Sequence, residues 1–122
     1  MKQSLENVRK TCPLIHCITN YVTVNDVANA VLAIGASPIM ADDIRETSDI
    51  TSICSALVIN IGTLNERTIP AMFNAGQTAK KLGHTVVLDP VGAGASPLRT
   101  ETAIELLKKI KPDIIRGNIS EI

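Results

Sequence analysis

The stretch ALVINIGTLNERTIPAMFNAGQTAKKLGHTVVLDP, residues 56–90, decides the fold. It opens on an aliphatic run, Ala56 to Gly62, too short for a helix and bounded by turn residues. A helix is expected from about Glu66 to Leu82, stopped by Gly83, a residue that readily takes the left-handed conformation many helices end on. HTVVLDP, His84 to Pro90, is a second run of strand length. Strand, long helix, strand is a βαβ unit, and strands joined this way lie parallel with a right-handed crossover.

The alternation extends in both directions. Upstream, Ser4 to Lys10 reads as a short amphipathic helix with Ser4 as N-cap, ended by Pro13, and LIHCI as a strand. Thr23 to Ile34 places Val24, Val27, Ala28, Val31 and Leu32 on one helical face, with Gly35 as the stop. SPIM is a further short strand, and DIRETSDITSIC a helix with Ile44, Ile50 and Ile53 among its apolar positions. Downstream, VGAGASPLRT is a Gly-rich turn and Pro97 to Ile110 a helix using Ile104, Leu107 and Lys108. PDIIRGN is the last strand. The expected architecture is a doubly wound α/β layer with a mostly parallel sheet.

Composition agrees. Hydrophobic residues make up 45% of the 122 and aromatic ones 2%, so the core must be built from Ile, Val, Leu and Ala, as in parallel sheets buried on both faces. The formal net charge is zero, and with one Tyr, one Phe and no Trp there is neither a basic stripe nor a stacking platform for nucleic acid. Cys12, Cys17 and Cys54 form no C-x-x-C pair and are not spaced with the histidines as zinc ligands. They read as free buried thiols of a reducing cytosol. MKQSLENVRK lacks the apolar run of a secretory signal, and ALVINIGTL is too short to span a bilayer, so the expected location is cytoplasmic.

In such sheets ligands bind outside the carboxyl ends of the strands. Those ends read ITNYVTVN, MADD, NIGTL, DPVGAGAS and RGNISE, all polar, small or glycine-bearing, whereas LGHT and KKIKPD at the opposite edge are ordinary turns. In DPVGAGAS, Asp89 closes a strand, while Gly92 and Gly94 let the backbone approach a ligand. The plain alternative is a tight βα turn with Asp89 accepting backbone hydrogen bonds. In RGNISE, Arg116 offers a bidentate fork for phosphate oxygens, and Asn118 and Glu121 fall on one helical face. An amide and a carboxylate so placed suit a magnesium ion beside a polyphosphate, or else a capping box with Asn118 as N-cap and Glu121 at N3. His16, inside an apolar strand, reads as a satisfied core histidine. Asp42 and Asp43 read as caps of the next helix.

ITNYVTVNDVANAVLAIGASPIMAD, LVINIGTL, VVLDPVGAGAS and IIRGNISEI, in this order and spacing, resemble the N-terminal part of hydroxyethylthiazole kinases, a ribokinase-like family of thiamine salvage. The resemblance implies transfer of the ATP γ-phosphate to the hydroxyl of 4-methyl-5-(2-hydroxyethyl)thiazole, with Mg²⁺, in a homotrimer with thiazole pockets at subunit contacts. It implies thiazole contacts for Met40, Asn20 and Val22, ATP contacts for Arg116 and Asn118, and a metal-associated acidic pair in Asp89 and Glu121. Members of that family are much longer. Residues 1–122 are therefore expected to be the N-terminal part of a single kinase domain, an incomplete ribokinase-like fold. The hydroxyl-activating residue and the Gly-rich anion hole are expected outside them, and the isolated chain is expected to be catalytically silent, less stable and less soluble than a full-length parent. The rivals are a thiazole-binding polypeptide without turnover and a related pyridoxal- or pyrimidine-type kinase.

Overall fold

The computed structural model describes residues 1–122. Helices and strands alternate as α1 (Lys2–Thr11), β1 (Leu14–Ile18), α2 (Val24–Ala33), β2 (Ser37–Ile39), α3 (Thr47–Ile53), β3 (Ala56–Asn60), α4 (Thr68–Lys81), β4 (Thr85–Asp89), α5 (Pro97–Ile110) and β5 (Ile114–Ile115). The five strands form one sheet in the order β2-β1-β3-β4-β5, and every pairing is parallel. Strand order reverses between β1 and β3, the place where open α/β sheets leave a crevice.

The core lies between β3 and β4 on one side and α4 and α5 on the other. Leu57, Ile59, Val86 and Leu88 are at most 1% exposed and pack with Met72, Ala75, Ala79, Leu106 and Ile110. Fully burying a side chain of this size contributes about 1.5–3 kcal/mol. Val58 and Val87 point to the opposite face, because strand side chains alternate, and they stay half-buried. At β3 and β4 the expected burial on both faces is thus met on one face only, the face on which α3, α4 and α5 pack together, whereas in β1 the successive residues His16, Cys17 and Ile18 are all buried.

Several local expectations change for identifiable reasons. Helix α1 is capped at Met1 rather than Ser4. Helix α3 starts only at Thr47, because the Asp43 carboxylate folds back on the Arg45 N–H at 2.9 Å and the Asp43 carbonyl accepts from Glu46 and Thr47. Its inward residues are Thr47 and Thr51, whose hydroxyls bond Asn74 and His16, while Ile44 and Ile53 are exposed. In α5 the sheet-facing set is Thr102, Ala103, Leu106 and Ile110, which leaves Ile104 and Leu107 partly in solvent. Strand β5 shrinks to two residues, both exposed. Cys12 is exposed, not buried, while Cys17 and Cys54 are buried. Burial pushes the Cys17 thiol up to about 11, so it stays protonated.

Helices α4 and α5 meet at Gly76, where an added Cβ would lie 2.9 Å from three side-chain carbons of buried Ile110. Gly76→Ala is expected to destabilise the chain, since overpacking costs about 1–3 kcal/mol while the gain in helix propensity is only about 0.5–1 kcal/mol. Trimming the partner with Ile110→Val should recover part of the loss. Urea unfolding of both variants checks this, and a raised midpoint for Gly76→Ala would contradict the packing.

Candidate functional site at the carboxyl edge of the sheet

Parallel pairing delivers every strand to the same edge with its carboxyl end outward. At β4 and β5 this gathers Asp89, Val91, Arg116, Gly117, Asn118 and Glu121 around an open cleft of about 330 Å³. The residues expected to meet phosphate and metal therefore converge. Arg116 Nη1 donates to Asp89 Oδ2 at 3.1 Å, with the arginine largely in solvent and the Asp89 side chain only 15% exposed. Asp89 Oδ1 is buried and has no hydrogen-bond partner. A buried carboxylate oxygen without a partner is costly, and a donor or cation brought to it would relieve that cost.

Glu121 braces the cleft. Its Oε1 accepts the Gly92 N–H and its Oε2 accepts the Asn118 N–H, both at 3.0 Å. These two backbone donors, Gly92 first, hold its carboxyl below the ordinary glutamate range. Asn118 Oδ1 in turn accepts from the Ser120 N–H at 3.0 Å. Glu121 thus forms its half of the capping box around a turn, while the Asn118 side chain takes the Ser120 amide instead of that of Glu121, and Glu121 also ties RGNISE to DPVGAGAS. Gly92 sits at φ 73° with the Arg99 side chain 3.1 Å from where a Cβ would be, so both conformation and space call for glycine.

Arg99 went unread in the sequence. Its Nη1 donates to the carbonyls of Val91 and Ile61 at 2.8 and 3.0 Å, and its Nη2 to that of Gly62 at 2.8 Å. It pins the loops after β3 and β4 together. One signal was available: a cation in the first turn of a helix opposes the macrodipole and therefore needs another reason to be there.

At β1 and β2 a smaller cleft of about 170 Å³ is lined by Cys17, Ile18, Thr19, Tyr21, Val24, Met40, Ala41 and Asp42. Met40 is part of this lining. Asn20 lies outside this lining: its Oδ1 accepts the Thr23 N–H at 3.1 Å, and its Nδ2 donates to Asn60 Oδ1 at 3.1 Å. Val22 is 89% exposed on the same loop.

Beneath this cleft His16 is fully buried. Its Nε2 lies 2.7 Å from the Ala41 carbonyl and its Nδ1 2.8 Å from Thr51 Oγ1. The carbonyl can only accept, so Nε2 carries the proton and the Thr51 hydroxyl donates to Nδ1. The neutral ring therefore ties β1 to α3 and to the residue after Met40. Burial lowers its pKa below the ordinary 6.5, opposed by the Ala41 carbonyl and the charge of Glu46. The folded chain then binds fewer protons at His16 than the unfolded one. This contribution to stability is full above the unfolded pKa and is lost as pH falls below it. The urea midpoint should drop from pH 7.5 to 5.5, a window above the titration of Asp43, Asp113 and Glu121, all lowered, and below that of Cys17. His16→Gln should be less stable by about 1–3 kcal/mol at pH 7.5 and should flatten the slope. A slope that survives the replacement would rule His16 out as its source.

Comparison with known proteins identifies the family. A model of the hydroxyethylthiazole kinase family matches residues 5–122. The hydroxyethylthiazole kinase of Clostridium acetobutylicum is 67% identical over 122 residues, covering 100% of this chain and 45% of that protein. That of Clostridium tetani is 63% identical over 119 residues, covering 98% and 43%. The solved structure of the hydroxyethylthiazole kinase protein from Pyrococcus horikoshii superposes with a TM-score of 0.95 at 44% identity, covering 99% of this chain and 48% of that one. The chain spans about half the length of the curated relatives it matches. With the matched residues carrying both clefts, the chain belongs to the hydroxyethylthiazole kinase family.

Proposed function

We propose that this chain carries the thiazole-binding edge and one flank of the ATP and metal site of a kinase acting on 4-methyl-5-(2-hydroxyethyl)thiazole. The observation that carries the reading is the convergence of Asp89, Arg116, Asn118 and Glu121 in one cleft, across β3 from the cleft that holds Met40. Phosphoryl transfer is mostly positioning and charge neutralisation, and this division of the edge suits it. Arg116 would leave Asp89 to fork onto phosphate oxygens, and Asn118 would offer its amide to them. The donor set fits Mg²⁺: two carboxylates, one with a buried unpartnered oxygen, are the hard ligands that ion prefers. Magnesium bound there supplies charge neutralisation for the transferred phosphoryl group.

On the other side, Met40, Ile18 and Val24 would enclose the heterocycle. Asn20 would act through the loop it fastens, and exposed Val22 would meet a neighbouring subunit of the homotrimer that this reading includes. No helix is long and apolar enough to cross a membrane, and the reading places the kinase in the cytoplasm. The residue that activates the substrate hydroxyl is assigned to the portion of the relatives beyond the matched half.

Amide chemical-shift mapping separates the two clefts. The thiazole alcohol should perturb residues 17–24 and 40–42, Mg·ATP residues 89–94 and 116–121, and Arg116→Ala should weaken only the second set. A coupled kinase assay on the same chain should show no turnover above background. Exchanged shift patterns, or tight ATP binding with no thiazole response, would reverse the assignment.

A further inference from the structure

The sequence holds one tyrosine, one phenylalanine and no tryptophan. Phe73 packs against the core from α4. Tyr21 is therefore the only aromatic side chain at the carboxyl edge, and it lines the Met40 cleft. It is held at both ends. Its backbone N–H donates to Thr63 Oγ1 at 3.1 Å, and its phenol O–H donates to Asp42 Oδ2 at 2.9 Å. Arg67 Nη2 completes the tie, 3.6 Å from the same carboxylate oxygen and 3.5 Å from the phenol oxygen. The loops that leave β1, β2 and β3 thus each contribute one member.

Exposed ion pairs of this kind add little to stability, so the consequence to look for is orientation. Without the tie, a half-exposed ring on a loop would sample several rotamers; with it, the ring stands as a fixed wall. Met40, Ile18 and Val24 line the same cleft. An aromatic ring and a polarizable thioether in one lining match a flat, sulfur-bearing heterocycle, and match a saturated ring of the same size poorly. Resting on the reading that this cleft takes the thiazole alcohol, we propose that Tyr21 determines its specificity for an aromatic ring and that Asp42 and Arg67 are the residues that position it.

The sequence also supplies the probe. With no tryptophan present, tyrosine emission reports on Tyr21 alone. The 122-residue chain is titrated with the thiazole alcohol and with 2-cyclopentylethanol, a saturated ring on the same ethanol arm, by emission and by calorimetry. The wild type should show a saturable emission change with the calorimetric Kd and a preference for the thiazole. Tyr21→Phe keeps the ring but loses its tie, and should weaken thiazole binding roughly fivefold, the equivalent of one hydrogen bond. Tyr21→Leu should weaken it about tenfold, the scale of an aromatic contact, and bring the two ligands to equal affinity. A loss of folding would weaken both ligands together and leave their ratio unchanged. Arg67→Ala should lower thiazole affinity while keeping the preference. If calorimetry shows thiazole binding but Tyr21→Leu keeps both affinity and ratio, the role of Tyr21 is overturned and the kinase reading stands. If the wild type binds no thiazole by either method, both fall.

Discussion

The pairing of β3 with β4 is the constraint on which the rest depends. Leu57 lies beside Val86 and Ile59 beside Leu88, all four excluded from water, and this register puts Asn60 beside Asp89 at the carboxyl edge. A slip of one residue would turn the buried set toward the open face and carry Asp89 toward the core, so the apolar contacts permit only one register. Asp89 thereby becomes a carboxylate that is nearly buried yet sits at a strand end. That combination allows one oxygen to meet Arg116 while the other stays unpartnered.

What the apolar pairing sets, polar side chains refine. Asn60 Oδ1 takes the Gly62 N–H and the Asn20 amide, joining the loops after β1 and β3 across the reversal in strand order. Arg99 joins the loops after β3 and β4 through three carbonyls, and Glu121 joins those after β4 and β5 through Gly92. Each link bonds to backbone groups that loops would otherwise present to water. The edge is thus a chain of fastened loops, and two clefts open where the fastening leaves room.

Much of this was legible in the sequence. Strand runs such as LIHCI and HTVVLDP, and the helix from Pro97 to Ile110, follow directly from apolar periodicity and punctuation. The convergence of Asp89, Arg116, Asn118 and Glu121 followed from the rule that parallel strands present one edge to ligands. What could not be read was which side of a helix finds a neighbour. Thr47 and Thr51 are buried in place of Ile44 and Ile53 because Asn74 and His16 stand where their hydroxyls can bond, and both partners are distant in sequence. Arg99 and the group formed by Tyr21, Asp42 and Arg67 were missed for the same reason. Their meaning lies in contacts between loops, and residue spacing along one segment carries no trace of them.

Native-state hydrogen exchange tests most directly whether the β3–β4 pairing organises this edge. The amides of Leu57 to Asn60 and Val86 to Asp89 should exchange only through global unfolding. Those of Gly92 and Asn118, held by the Glu121 carboxylate, should be slower than their loop neighbours and should speed up in Glu121→Ala. Strand amides of β3 and β4 exchanging as fast as the loops would contradict the account, whatever the clefts turn out to bind.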